Sequence, residues 1–140
     1  MIMNRSGWML AAMSVKGTES FSPVQMQKLM FMLSKNLPLP ELKFDFKPYD
    51  YGPFDADVYR ELETLAKEGD VSIEGDGRKR RYRLTATGVA KGATCLNETG
   101  LFAQYVKDLV RWITSLTFPQ LVTEIYKLYP EMKVNSVFNQ

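Results

Sequence analysis

The pattern that most constrains this chain is a β-hairpin signature set between stretches of helical periodicity. Val71-Ser72-Ile73 and Arg80-Tyr82-Leu84, with polar residues between the latter, alternate in polarity on either side of Glu74-Gly75-Asp76-Gly77. Two short runs of period two around a glycine-rich turn read as a hairpin. A helical core followed at once by such a hairpin is the winged-helix plan. The expected fold is therefore α+β and mostly helical, with a winged-helix-like core, the hairpin as its wing, and additional C-terminal helices.

The helical stretches carry their own boundaries. Ile2–Val15 reads as a first helix, with Trp8, Met9, Ala12 and Met13 on its apolar face. Ser22-Pro23 is a start signal, because serine accepts free amide hydrogens and proline lacks the one it would waste. Met26, Leu29, Met30 and Leu33 then recur at helical spacing, with Lys28 and Lys35 falling away from that side. Pro38 ends the run, since the residue before proline avoids helical geometry. Leu42, Phe44 and Phe46 alternate with Lys43, Asp45 and Lys47, which predicts a short half-buried strand. Tyr49-Asp50-Tyr51-Gly52-Pro53 turns the chain. A third helix starts at Phe54 or Asp55 and is closed by Gly69-Asp70.

Beyond the hairpin, Thr85 or Thr87 caps a helix running through Leu96, with Val89 and Ala93 expected on its inner side. Gly100–Ser115 forms the next helix, and Trp112 within it is expected to be core. Thr117 and Pro119 open the last one, and Tyr129-Pro130 stops it. Glu131–Gln140 reads as a tail or short docking segment. With 140 residues and 45% apolar content, residues 1–140 suffice for one core.

Composition removes several function classes. Histidine is absent, which eliminates the usual general base and the commonest metal ligand. The single cysteine, Cys95, rules out an internal disulfide and is expected to be a buried thiol. Asp55 and Asp57 do not form a catalytic pair, because residues two apart on a helix point in different directions. Gly75 and Gly77 lack the flanks of a phosphate loop. No catalytic residue, metal site or cofactor is expected. Trp8–Met13 is too short for a leader's apolar core and has no small-residue cleavage site after it, so a cytoplasmic protein is the expectation. No apolar run approaches the ~20 residues of a membrane span.

Net charge is only +2, so local distribution matters more than the total. Five of the six residues from Arg78 to Arg83 are basic, namely Arg78, Lys79, Arg80, Arg81 and Arg83. As a wing they can reach phosphate oxygens, but one basic tip is rarely a sufficient nucleic-acid footprint. A solvated hairpin that resists edge-to-edge pairing explains them as readily. The helix before the wing carries Asp55, Asp57, Glu61, Glu63 and Glu68 against Arg60 and Lys67. Such a face suits a basic protein partner better than a DNA groove. Tyr49, Tyr51 and Phe54 around Gly52-Pro53 are aromatic anchors on a rigid turn; Tyr51 and Phe54 read as structural, Tyr49 as the exposed one.

Several short motifs carry a resemblance. Met26-Gln27-Lys28-Leu29-Met30-Phe31, Tyr51-Gly52-Pro53, Val58-Tyr59 and Leu62 resemble the SocA-like antitoxin family, or Panacea domain. Lys127–Pro130 and Asn135–Ser136 are similar to that family's tyrosine-proline segment and downstream serine. Arg81–Gly88 is similar to the strand-to-helix step of winged-helix proteins. The resemblance covers roughly residues 22–136. It departs from the pattern at Met30-Phe31, where the family tends to have a Leu/Tyr pair, and in the short proline-broken region after Leu33. It implies a helical domain that neutralises a toxin or adapts it to another machine. The expectation is a non-enzymatic protein-interaction module of antitoxin-like or prophage-associated type. Its alternative is a winged-helix DNA-binding regulator that dimerises through the Gly100–Leu128 helices and contacts phosphate with its wing.

Overall fold

A computed structural model of the chain describes residues 3–138. The first helix, α1 (Arg5–Ser14), is capped by the Asn4 side chain, which accepts from the Gly7 amide. Of the expected Ile2–Val15 span, Ile2 lies outside the described residues. Helix α2 (Pro23–Asn36) begins as expected: Ser22 Oγ accepts from the Gln25 amide, and Gln25 Oε1 accepts from the Ser22 amide. This reciprocal cap satisfies two donors that a helix start otherwise leaves free. The helix ends at Asn36, ahead of Pro38.

The strand expected over Leu42–Phe46 does not form. Pro40–Leu42 is a turn of 3-10 helix, and Lys43–Phe46 is irregular. Exposure does alternate there, with Leu42 buried and Phe44 and Phe46 half-buried. Among the described residues no neighbouring strand offers that segment a ladder. Pairing begins only at β1 (Lys47–Tyr49), which meets β2 (Gly52–Phe54) around the two-residue turn Asp50-Tyr51. Pro48 faces Pro53 across this hairpin. Neither has an N–H, so the ladder is thin, and other contacts must hold the hairpin in place.

Helix α3 (Ala56–Lys67) starts at Asp55, whose carboxylate accepts from the Asp57 amide. It ends with Gly69 at φ 86°. The Gly69 amide donates to Ala66, and the Asp70 amide donates to Leu65 at 2.9 Å. That pair of bonds is the Schellman closure, which requires a left-handed residue and so favours glycine. The wing follows as β3 (Val71–Glu74) and β4 (Arg81–Leu84), antiparallel with Ile73 opposite Tyr82. Phe21 adds a third, one-residue strand by exchanging two hydrogen bonds with Tyr82, 2.7 and 2.9 Å long. The order helix, bridge, helix, helix, strand, wing, strand is that of a winged helix, with hairpin β1–β2 inserted between its second and third helices.

Thr85 caps α4 (Ala86–Glu98) by accepting from the Gly88 amide. Its inner side is not Val89 and Ala93, as the periodicity suggested, but Gly88 and Gly92. A methyl group added at Gly92 would lie 2.5 Å from the Leu10 carbonyl oxygen, and one at Gly88 would lie 2.0 Å from that of Asp70. Gly92 lets α4 approach α1 backbone to backbone, and Gly88 lets its first turn approach the backbone at Asp70. Val89 is consequently half-buried and Ala93 exposed. A 3-10 turn at Gly100–Phe102 leads into α5 (Ala103–Ser115), which buries Val106, Leu109, Val110 and Ile113. Trp112 is half-buried against this core. Helix α6 (Phe118–Leu128) opens with a second reciprocal cap, between Thr117 and Gln120. The architecture is thus mostly helical α+β, with two small antiparallel hairpins and further helices at the C-terminal end.

Candidate protein-binding cleft beside the wing

The tertiary structure divides the basic run Arg78–Arg83 into groups with different work. Arg83 is paired with Glu74 across the wing. Arg81 turns inward, its Nε donating to Ser20 Oγ at 2.9 Å and a terminal nitrogen to the Ser20 carbonyl at 3.0 Å. Arg80 lies beside the Tyr82 hydroxyl. Arg78 and Lys79 occupy the exposed tip and have no ion pair among the described residues. Among the described residues Arg78 and Lys79 therefore have no internal partner, while Arg81 is held by a neutral serine and keeps its charge uncompensated.

The hairpin beside the wing is held by side chains rather than by its ladder. Gln27, buried in α2, donates to the Asp55 carbonyl and accepts from the Asp55 amide, both at 3.0 Å. The Asp45 amide donates to the Asp55 carboxylate at 2.7 Å. From the other side, Tyr126 donates to Ser136 Oγ at 2.6 Å, and the Val137 amide donates to the Asp50 carbonyl at 2.9 Å. Asn135 donates to the Pro48 carbonyl at 3.2 Å. Residues 131–138 thus dock on the chain's own hairpin, with Met132 buried. Rings then run from hairpin to wing: Tyr49 to Phe54 at 5.1 Å, Phe54 to Tyr59 at 5.7 Å, Tyr59 to Tyr82 at 6.2 Å.

Lys28, set by its spacing away from the apolar side of α2, is nevertheless buried, its residue 2% exposed. Helix α2 is covered twice, by the core on one side and by the hairpin on the other. Lys28 Nζ would lie 3.4 Å from a methyl group at Gly52, and the Tyr126 ring 3.3 Å from it. With φ 105° as well, position 52 admits only glycine comfortably. No carboxylate pairs with Lys28 among the described residues. Burial lowers its ammonium from the ordinary 10.5 to about 7.

Between the wing, the start of α2 and the start of α6 lies a cleft of about 600 Å³, within the size range of ligand pockets. Its apolar lining comes from Val24, Leu116, Phe118 and Leu121, with Tyr51 at one edge. Arg78 and Arg81 also line it, and among the described residues no carboxylate does. Tyr51 and Phe118 meet edge to face at 5.1 Å, and Phe118 is 42% exposed. The cleft therefore unites a residue of the Tyr-Gly-Pro turn with the wing. Tyr49, 55% exposed, stands outside it on the hairpin's other strand, and Phe54 is half-buried within the ring series.

The acidic helix proves to be engaged internally. Asp55 is the cap of α3. Asp57 lies 3.7 Å from Arg5 and also pairs with Arg60. Glu61 accepts from Arg5 at 3.1 Å and from the Ser6 hydroxyl. Arg5 itself stacks over Phe44, 4.4 Å from the ring centroid. What α3 exposes is Arg60, Glu63, Thr64 and Lys67, followed by Glu68, a balanced set of charges. The exposed charges of this face balance, and its carboxylates Asp57 and Glu61 are paired within the chain.

Phe118, Leu116 and Leu121 escaped the sequence reading as cleft residues because each also fits the apolar stripe of a helix. The signal that marks Phe118 is its position at the first residue of α6, one turn ahead of the buried side. No family model matches the sequence, and no curated protein matches it. Among the described residues, no group of three acidic or thiol side chains is placed to hold a metal ion, and no helix is long and apolar enough to cross a membrane.

Proposed function

We propose that this chain is a non-enzymatic protein-interaction module of antitoxin-like or prophage-associated type, acting by masking a partner's surface. The observation that carries this reading is the cleft beside the wing, where the Tyr51–Phe118 ring pair, aliphatic side chains and two arginines share one lining. Aromatic anchors and arginine are the side chains that dominate binding energy at protein interfaces. The internal pairing of Asp57 and Glu61 moves the contact away from α3 and toward the hairpin-and-wing face. The resemblance of Gln27-Lys28, Tyr51-Gly52-Pro53 and Asn135-Ser136 to SocA-like antitoxins adds to it, since these residues meet at one hairpin.

The second reading, a DNA-binding regulator contacting phosphate through its wing, is favoured by one observation: Arg78 and Lys79 are exposed and unpaired at the tip.

Two experiments test these readings. Co-expression with the product of the adjacent gene should relieve growth arrest caused by that product, and the two proteins should co-elute. A neighbour that is harmless alone, or one that never co-elutes, overturns the antitoxin reading. Duplex DNA titrated across a salt series should give no binding; binding that falls steeply with salt and is lost in Arg78→Ala/Lys79→Ala establishes the regulator instead.

A further inference from the structure

The protein-binding reading leaves open what kind of segment the module takes, and the cleft's chemistry specifies it. We infer that the cleft between the wing and α6 receives a short acidic segment with one large apolar anchor side chain. This inference rests on the protein-interaction reading and narrows it.

Three features point the same way. The cleft's two charged side chains, Arg78 and Arg81, are both cationic. Arg81 is fixed by Ser20, so it presents its charge without first having to be ordered, whereas Arg78 is unpaired and exposed. The cleft also opens on the first turn of the 14-residue helix α2, where the helix dipole favours negative charge. Pro23 has no N–H and Ser22 and Gln25 use theirs in the reciprocal cap, so the Val24 amide is the donor left at that end.

The floor decides between peptide and nucleic acid. Leu116 and Val24 offer aliphatic surface over the buried Leu121, and Tyr51 meets Phe118 at 76°, edge to face. Two rings at that angle do not form a parallel slot for a base. Of the lining side chains that bear oxygen acceptors, Ser22 and Gln25 already accept from each other's amides, which leaves the Tyr51 hydroxyl at the rim. A leucine or phenylalanine side chain meets this floor without stranding a polar group, while its flanking carboxylates meet the arginines. The inference reverses the sign expected from sequence, where an acidic helix suggested a basic partner.

The test uses the full chain, labelled with nitrogen-15, and three fluorescent hexapeptides. One carries Leu-Phe between glutamates, one carries Leu-Phe between lysines, and one carries Gly-Ser between glutamates. The first should bind and shift the amide signals of Val24, Tyr51, Gly77 and Arg78. The other two should bind at least tenfold more weakly. Arg78→Glu, at an exposed position, and Phe118→Ser should each weaken the first peptide tenfold or more while leaving the remaining amide spectrum in place. Equal binding of the lysine peptide, absence of shifts at millimolar peptide, or tighter binding of a short duplex DNA at the same amides overturns the inference. So does a concentration-dependent dimer, seen by sedimentation, that shifts these same signals without peptide. If Arg78→Glu still co-elutes with the neighbouring gene product and relieves its toxicity, the cleft inference fails while the protein-interaction reading stands.

Discussion

The side-chain amide of Gln27 and the backbone of Asp55 exchange two hydrogen bonds, each 3.0 Å long, across 28 residues of sequence. One glutamine from the second helix thus serves as the partner strand for the residue that caps the third. Replacing it by leucine keeps the volume but strands an N–H and a C=O. Gln27→Leu should lower stability by roughly 1–3 kcal/mol. Gln27→Glu should not rescue it, because a carboxylate cannot donate to the Asp55 carbonyl and is repelled by the Asp55 side chain. Urea denaturation of the three proteins checks this; unchanged midpoints would show the pair to be incidental.

Gly92 sits in a helix, where alanine is ordinarily better by about 1 kcal/mol. Here the added methyl meets the Leu10 carbonyl oxygen at 2.5 Å and Ser14 Cβ at 2.7 Å. Backbone cannot yield as a flexible side chain can. Gly92→Ala should therefore destabilise by roughly 1–3 kcal/mol, whereas Ala93→Ser on the exposed side should change stability by less than about 0.5 kcal/mol. A Gly92→Ala protein that melts higher than the parent would mean α1 and α4 are not in backbone contact.

Lys28 links stability to pH with a definite sign. Its folded value of about 7 lies below the ordinary 10.5, so between these values the unfolded chain binds the extra proton. Stability contributed by this group is full above about 10.5, declines as pH falls toward 7, and is flat below it. Lys28→Met removes an unpaired buried amine and should raise stability at pH 7 by roughly 1–3 kcal/mol. The difference between variant and parent should shrink as pH rises from 7 to 10. A difference that stays constant over that range would place the amine in water.

Cys95 is half-buried, and burial, then the Glu98 and Asp70 carboxylates, push its thiol above the ordinary 9.0. Only the thiolate reacts with alkylating agents. Iodoacetamide at pH 8 should modify it roughly threefold or more slowly than it modifies glutathione, and mild urea should abolish the difference. A rate equal to or above that of glutathione would contradict the burial.

Much of the fold was readable before any coordinates. The caps at Ser22, Asp55, Thr85 and Thr117, the stop at Gly69 and the wing turn at Gly75–Gly77 are local chemistry, decided within four or five residues. Local hydrogen bonding and backbone sterics act alike in any surroundings, so the chain announces them in one dimension. The candidate site was legible only in fragments, as a basic run and an aromatic turn. What tertiary structure alone decided was which side chains were already occupied. Arg83 was neutralised by Glu74, and Asp57 and Glu61 by Arg5, while Arg81 was fixed in place by the neutral Ser20. Lys28, away from the apolar side of its helix, is buried because a hairpin inserted between α2 and α3 covers it. A charge's meaning depends on what neutralises or desolvates it, and those partners here stand 9 to 61 residues away. Helical and strand periodicity predict which way a residue faces on its own element; only packing determines what lies on that side.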